Sequence, residues 1–339
     1  MPNLRAEQHT DDHAPWPTPT VSIIVTCFNY GRYLNDALRS VSHQKFERWE
    51  CIIVDDGSTD DSREIAAYWI KKDRRFKYFY QDNLGLSSAR NAGINQTSGR
   101  YIQILDADDT LEPDKLLHHV MIMDRSPDDI SVYSNYVRQV EIGTETFSEH
   151  ASEKTVRPRD KWLTSLVWDW ERYLSIPPHC FLHRRSRITA LGGFNINLVT
   201  HEDFDLLHRI VISGGKFIFD DRALVIYRRH ARSMCSDRIG MVDGYLHALG
   251  LAFQRSRTKR LKIITSIRYA MEVENFITVS ILNAQLKSAL QCLLQTRFAS
   301  MTLKSLTLYP CIFIIRFPIR LAKICKKVAT LTRGACHAS

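Results

Sequence analysis

Eight cysteines are spread over 339 residues, at positions 27, 51, 180, 235, 292, 311, 325 and 336, and no two form a Cys-x-x-Cys pair. That absence removes zinc-ribbon spacing and a disulfide framework, so free thiols in a reducing compartment are expected. Long apolar runs are missing as well. The best, Cys311 to Ile315, is broken by Arg316 and Pro318, far short of the ~18 residues a membrane-spanning helix needs. Met1 to Thr20 is polar and mixes both charge signs, so no secretory signal is expected there. With 14 Gly and 11 Pro and no internal repeat, collagen-like and low-complexity classes are excluded. A soluble or peripheral protein is expected, with about two domains or one large α/β domain with additions.

What is present is unevenly charged. The net charge of +9 hides a tail, from Met241 on, with 15 Lys and Arg against three acidic residues. The first 240 residues are slightly acidic, at −3. A surplus confined to one end speaks to that end's partner, either nucleic acid or an anionic membrane surface. No nucleic-acid recognition motif accompanies it, so no nucleic-acid partner is expected. Within the tail, Leu321, Ile324, Cys325, Val328 and Leu331 share one helical face while Arg320, Lys323, Lys326 and Lys327 occupy the others. Residues 300–333 are therefore either a peripheral membrane helix or a helix packed on its own domain.

Residues 1–18 read as a flexible leader. Beyond them, strand and helix patterns alternate. Val21 to Thr26, Cys51 to Val54, Phe76 to Tyr80 and Tyr101 to Leu105 are short buried strands. Leu34, Ala37, Leu38 and Val41 mark one intervening helix, Ile65, Ala66 and Trp69 a second, and "LSSARNAGIN" a third. Such alternation predicts an α/β fold with a mostly parallel sheet, flanked by helices and binding ligands at the carboxyl ends of its strands. Residues 141–178 show no clear period. A strand near His179 to His183, a "GGF" turn, a helix from Glu202 to Ser213 closed by Gly214 and Gly215, and two strands near Phe217 and Val225 follow. Past Met241 the pattern is helical.

Each of the first four strands ends in ligand-holding residues: "TCFNYG", Asp55 and Asp56, "DNLGLSSARNAG" and "LDADDTL". In extended chain Asp106 and Asp108, flanking Ala107, project to one side, and two close carboxylates call for a hard cation such as magnesium or manganese(II). Asp109 is expected to cap the helix that begins near Pro113.

These strings, from "PTVSIIVTCFNYG" through "WECIIVDDGSTDDS" to "ILDADDTLEPDKL", closely resemble the family-2 glycosyltransferases of GT-A fold. The resemblance covers residues 19–115 and resumes over 192–235. It implies a GT-A transferase domain at 19–240, with a nucleotide-sugar half at 19–115 and an acceptor and catalytic half at 116–240, followed by a basic helical tail at 241–339. It further implies that Thr26, Asn29 and Tyr30 lie near base and ribose, with Asp55 on the uracil and Asp56 close by. Asn83, Gly85, Ala89, Arg90 and Asn91 line the donor cleft, and Asp106, with Ala107 beside it, holds the ribose. Asp108 holds Mn2+ or Mg2+, and His230, after Arg228 and Arg229, completes the metal shell or binds diphosphate. Glu202-Asp203 is the catalytic acidic pair, with Asp203 the general base; a helix start favours its ionised form.

The implied activity is inverting, metal-dependent transfer from a nucleotide donor, of UDP-sugar type, to a hydroxyl of a glycan or lipid-linked acceptor. The resemblance further implies a place in surface polysaccharide synthesis, with the protein in the cytoplasm or peripheral at the inner face of the cell membrane. A nucleotidyltransferase would leave Glu202-Asp203 without a role, and a silent nucleotide-sugar-binding scaffold would not need the carboxylate set.

Overall fold

A computed structural model describes residues 18–282, except 143, 153–155, 159 and 160. The leader and the 300–333 segment lie outside the described residues. Strand β1 (Val21–Cys27) is buried at every position and is flanked by two parallel neighbours, β2 (Trp49–Asp55) and β4 (Tyr101–Asp106). β3 (Phe76–Tyr80) adds a third parallel ladder on β2. Strands covered on both faces favour apolar side chains, which is why β1 and β2 read as mainly β-branched runs; the polar Ser22 and Glu50 within them are hydrogen-bonded to each other. Each fully buried Val, Leu or Ile contributes about 1.5–3 kcal/mol before entropy is counted.

Three helices cover these strands: α1 (Gly31–Ser42), α2 (Ser62–Lys72) and α3 (Leu86–Asn95). The expected stripe Leu34, Ala37, Leu38 and Val41 is fully buried. α3 approaches the sheet so closely that a Cβ on Gly93 would lie 2.4 Å from Ile24 Cγ2. In register, Cys27 faces Asp55, Asp55 faces Tyr80 and Thr26 faces Asp106. The four strand ends therefore stand in one row, as the sequence implied.

The second half of the sheet is mixed. β5 (Thr110–Leu111) precedes helix α4 (Lys115–Asp124), and β6 (Ile130–Ile142) forms a long parallel ladder with β9 (Lys216–Arg229). Between them in sequence come β7 (Glu145–His150), helix α5 (Trp162–Asp169), β8 (Phe181–Arg184), α6 (Arg185–Ala190) and α7 (Glu202–Ile212). β8 joins β4 to β6 by antiparallel ladders, giving the order β3-β2-β1-β4-β8-β6-β9-β5, with β7 on β6.

Two expectations change. The strands near Phe217 and Val225 are one strand, β9, whose register with β6 shifts near Ser134 and Asn135; the polar "DDR" between them is an irregularity and not a turn. The aperiodic 141–178 stretch contains β7 and α5. β7 is exposed at every residue and α5 is only eight residues long, so neither prints an amphipathic period. The predicted helix end at Gly214 is borne out: its φ is +88°, its N–H donates to Val211 O, and that of Gly215 donates to Ile210 O.

The chain divides into two compact units, one of residues up to 163 with 170–233, the other of 164–169 with residues from 234 on. In the second, α8 (Arg238–Arg255) is capped by the Asp237 carboxylate, which accepts the Gly240 N–H. It packs Tyr245 against α9 (Lys259–Leu282), where buried Arg268 pairs with Glu272 at 2.7 Å and covers the Tyr245 ring. Among the described residues no helix is long and apolar enough to cross a membrane. Cys27, Cys51 and Cys180 are buried free thiols.

Candidate active site

The loops after β1 and β2 are stitched together by the residues picked out from sequence. Asn29 adopts a left-handed φ of 57°, which an Asn tolerates better than most residues. Its Oδ1 accepts the Thr59 N–H at 2.8 Å, and its own N–H donates to Ser58 Oγ. Asp55 is buried and accepts the Ser58 N–H and the Tyr78 hydroxyl, both at 2.8 Å. Asp56 accepts Gln81 Nε2 at 2.6 Å and the N–H groups of Leu84 and Gly85 at 2.9 Å. It thereby shapes the 81–85 loop, where Asn83 and Gly85 are exposed and Gly85, at φ +88°, starts α3. Asn91 turns away from this edge: its amide exchanges two hydrogen bonds of 2.8 Å with the Phe194 main chain and fixes the Gly192–Phe194 turn.

The centre of the site is a buried cation between two acids. Arg90, on α3, is 1% exposed; one guanidinium nitrogen donates to Asp106 Oδ1 at 2.7 Å and another forms a short contact with Glu202. Burial opposes charge on Arg90, but Asp106 and Glu202 outweigh it and hold the guanidinium firmly protonated. Burial likewise opposes ionisation of Asp106, yet Arg90, His179 and the Thr26 hydroxyl 3.4 Å away keep its carboxyl below the usual range. Asp203, the next residue along α7, accepts the Phe204 N–H and forms no ion pair among the described residues. Burial, reinforced by neighbouring Glu202, pushes its carboxyl up to about 8. Here desolvation overrides the helix-start effect expected from sequence. The helix is entered through His201, a non-glycine residue at φ 61°, whose Nε2 lies 3.7 Å from Glu171, also at φ 61°. Backbone held in this region costs roughly 1–3 kcal/mol and clusters at functional sites.

The Asp106 to Asp109 stretch is a turn, closed by the Asp109 N–H donating to Asp106 O, and not extended chain. Asp106 therefore points to Arg90, while Asp108 meets His230 at 3.2 Å, 122 residues away in sequence. Ala107 is buried, its N–H donating to Thr26 O. His230 stacks on Tyr33 at 4.5 Å and lies 5.6 Å from Tyr30, whose hydroxyl donates to Arg232 O. Asp109 caps no helix. It is buried, accepts the Arg228 N–H at 2.7 Å and lies 3.0 Å from His179 Nδ1; burial pushes its carboxyl up to about 7 against the pull of His179. No spacing rule connects positions 109, 179 and 228, so nothing in the sequence could have joined them.

The donor chemistry gives a test of fit for a divalent ion. Asp106, Asp109 and His179 offer ligand atoms within 4.8 Å of one another. Their atoms already meet Arg90, the Arg228 N–H and each other, in a buried setting, so they serve poorly as an open site for phosphate-bearing ligands. Asp108 offers a partly exposed hard oxygen of the kind magnesium and manganese prefer. His230 Nδ1 accepts the Arg232 N–H at 3.2 Å, which assigns the proton of the neutral ring to Nε2, facing Asp108. Asp108 thus fits an ion, with His230 holding it from behind; ligation through His230 Nε2 would require the Arg232 contact to open.

A row of acidic strand ends on a parallel half-sheet, joined by a mixed half that brings an acidic helix start to it, is the GT-A glycosyltransferase arrangement. Solved structures share it. S. aureus TarS 1-349 in complex with UDP-GlcNAc aligns with a TM-score of 0.58 at 14% identity, over 76% of this chain and 81% of that one. The mannosyltransferase PcManGT from Pyrobaculum calidifontis, in complex with GDP-Man and Mn2+, aligns with a TM-score of 0.57 at 15% identity, over 89% and 88%. At these identities the likeness speaks for the fold.

Residues 22–190 match the family Glycosyl transferase family 2. Over this region the chain belongs to that family. EpsH of Bacillus subtilis (strain 168) is 34% identical over 174 residues, 51% of this chain and 49% of EpsH. TuaG of the same organism is 40% identical over 110 residues, 32% of this chain and 44% of TuaG. The chain spans about half the length of these relatives or less.

Proposed function

We propose that this glycosyltransferase moves a sugar, with inversion, from a nucleotide donor of the UDP-sugar class to a hydroxyl of a glycan or lipid-linked acceptor in surface polysaccharide synthesis. One observation carries the reading: Glu202 is committed to Arg90, whereas the adjacent Asp203 forms no ion pair among the described residues and has a raised proton affinity. A base works best when its pKa lies near the working pH. Asp203 takes the proton of the acceptor hydroxyl as that oxygen attacks the anomeric carbon, and a single displacement inverts the centre. Glu202 acts in catalysis by locking Arg90 to α7.

On the donor side, Asp55 meets the base, Asp106 the ribose, and Thr26, Asn29, Tyr30, Asp56, Asn83 and Gly85 shape the pocket walls. Mn2+ or Mg2+ would be held by Asp108, backed by His230, and when bound supplies positive charge to the departing diphosphate. TarS with UDP-GlcNAc and PcManGT with GDP-Man and Mn2+ support a nucleotide-sugar donor and a metal, and TuaG, whose name assigns it to teichuronic acid biosynthesis, supports a polysaccharide product. Residues 19–240 form the transferase region, and the basic tail rests residues 300–333 on the cytoplasmic membrane face.

Asp203→Asn tests the reading. Turnover should fall by ~10²-fold or more with donor affinity, by calorimetry, nearly unchanged. In the wild type the rate should rise with pH as Asp203 loses its proton near 8, and the variant should lack that limb. Near-normal turnover in the variant would exclude Asp203 as the base.

A further inference from the structure

We propose that Asp109, braced by His179, is a positioning residue that holds Asp108 and His230 face to face, a role that rests on the metal-site reading above. β5 gives β9 only two rungs, Thr110 with Ile226 and Leu111 with Val225. At the next position the main chain has entered the 106–109 turn and offers no further rung. The Asp109 side chain takes over, its Oδ1 accepting the Arg228 N–H at 2.7 Å. That bond carries the attachment along β9 to within two residues of His230, and there Asp108 and His230 meet at 3.2 Å.

The other oxygen of Asp109 lies 3.0 Å from His179 Nδ1, and the His179 ring packs on Tyr227, the residue before Arg228, at 5.6 Å. Asp109 and His179 are 1% and 0% exposed, so neither can touch a substrate. They act only through what they hold. A carboxylate accepting an N–H is a stronger tie than a neutral ladder bond, and it holds the β5 edge of β9 at Arg228, whose other edge is paired with β6 through Arg229. Functional groups must be held to within roughly 0.5 Å, and outer supports of a metal ligand are worth about 10–100-fold in metal affinity.

The test uses the full-length protein, with UDP affinity measured by calorimetry across a Mn2+ titration and again in EDTA, alongside thermal unfolding. Asp109→Asn keeps the shape and an oxygen for the Arg228 N–H but removes the charge. It should raise the Mn2+ concentration for half-maximal UDP binding about tenfold, while UDP affinity in EDTA stays at the wild-type level. His179→Leu should do the same, and His179→Gln, which keeps a donor toward Asp109, should restore most of the loss. These two variants decide the matter if Asp109→Asn does not fold. A lowered unfolding temperature with an unmoved Mn2+ midpoint in Asp109→Asn or His179→Leu would overturn the proposal and leave a purely structural pair. Asp108→Asn separates the two readings: it should abolish the Mn2+ dependence. If wild-type protein binds UDP equally in EDTA, the metal reading falls and the positioning role with it.

Discussion

Replacing Arg90 with Met leaves two carboxylates facing a side chain of similar volume that carries no charge and no donor. Glu202 is 7% exposed and Asp106 26% exposed at their side chains, so water can reach the second far better than the first. Removing one partner of a buried ion pair typically costs about 3–5 kcal/mol, because the remaining charge is stranded. For a unit of this size each kcal/mol shifts the midpoint by about 2–4 °C, so Arg90→Met should lower the unfolding temperature by roughly 6–20 °C near neutral pH. The loss should shrink in acid. Asp106 has a depressed carboxyl, so its contribution is present above its ordinary value near 4 and is lost as pH falls through the lower folded value; wild type and variant should converge only below that lower value. Adding Glu202→Gln to Arg90→Met should recover part of the stability, a coupling of about 0.5–3 kcal/mol between contacting residues. Differential scanning fluorimetry of wild type, Arg90→Met, Glu202→Gln and the double variant reads this directly. An Arg90→Met midpoint within about 2 °C of wild type at neutral pH would refute the bridging role.

Asp108→Ala should abolish transfer and weaken UDP binding with no change in unfolding temperature, and EDTA should mimic it; equal UDP affinity with and without EDTA would exclude the metal. Gly93→Ala places a methyl 2.4 Å from Ile24 Cγ2 and 3.1 Å from Val54 Cγ2, so an overpacking loss of about 1–3 kcal/mol should appear in thermal unfolding. An unaltered midpoint would show that α3 can stand off the sheet at no cost. Lys323, Lys326 and Lys327 changed together to Gln should release the protein from anionic vesicles at low salt, each charge being worth about 1 kcal/mol at the surface. Transfer to a soluble acceptor should be unaffected, and a wild type that ignores such vesicles would remove the membrane role.

The chain's own sequence determined the elements and the edge on which ligands gather. Val21–Cys27 and Trp49–Asp55 are buried at every position and mainly apolar because both faces of a central parallel strand are covered, and that pattern is local. The polar residues after each strand break it at fixed spacing, so four strand ends and the Glu202-Asp203 helix start were visible without coordinates. What no local pattern carries is which side chains meet across 70 to 120 residues. Arg90 reads as one motif residue among several, yet its place between Asp106 and Glu202 exists only because α7 returns to α3. Asp109 reads as a helix cap in a run of acids, and only the arrival of β9 and the turn at His179 gives it partners. The proton affinity of Asp203 was misjudged from sequence for the same reason. A helix start is a local feature that favours the ionised form, but burial beside Glu202 is set by packing, and in a water-poor site desolvation is the larger effect.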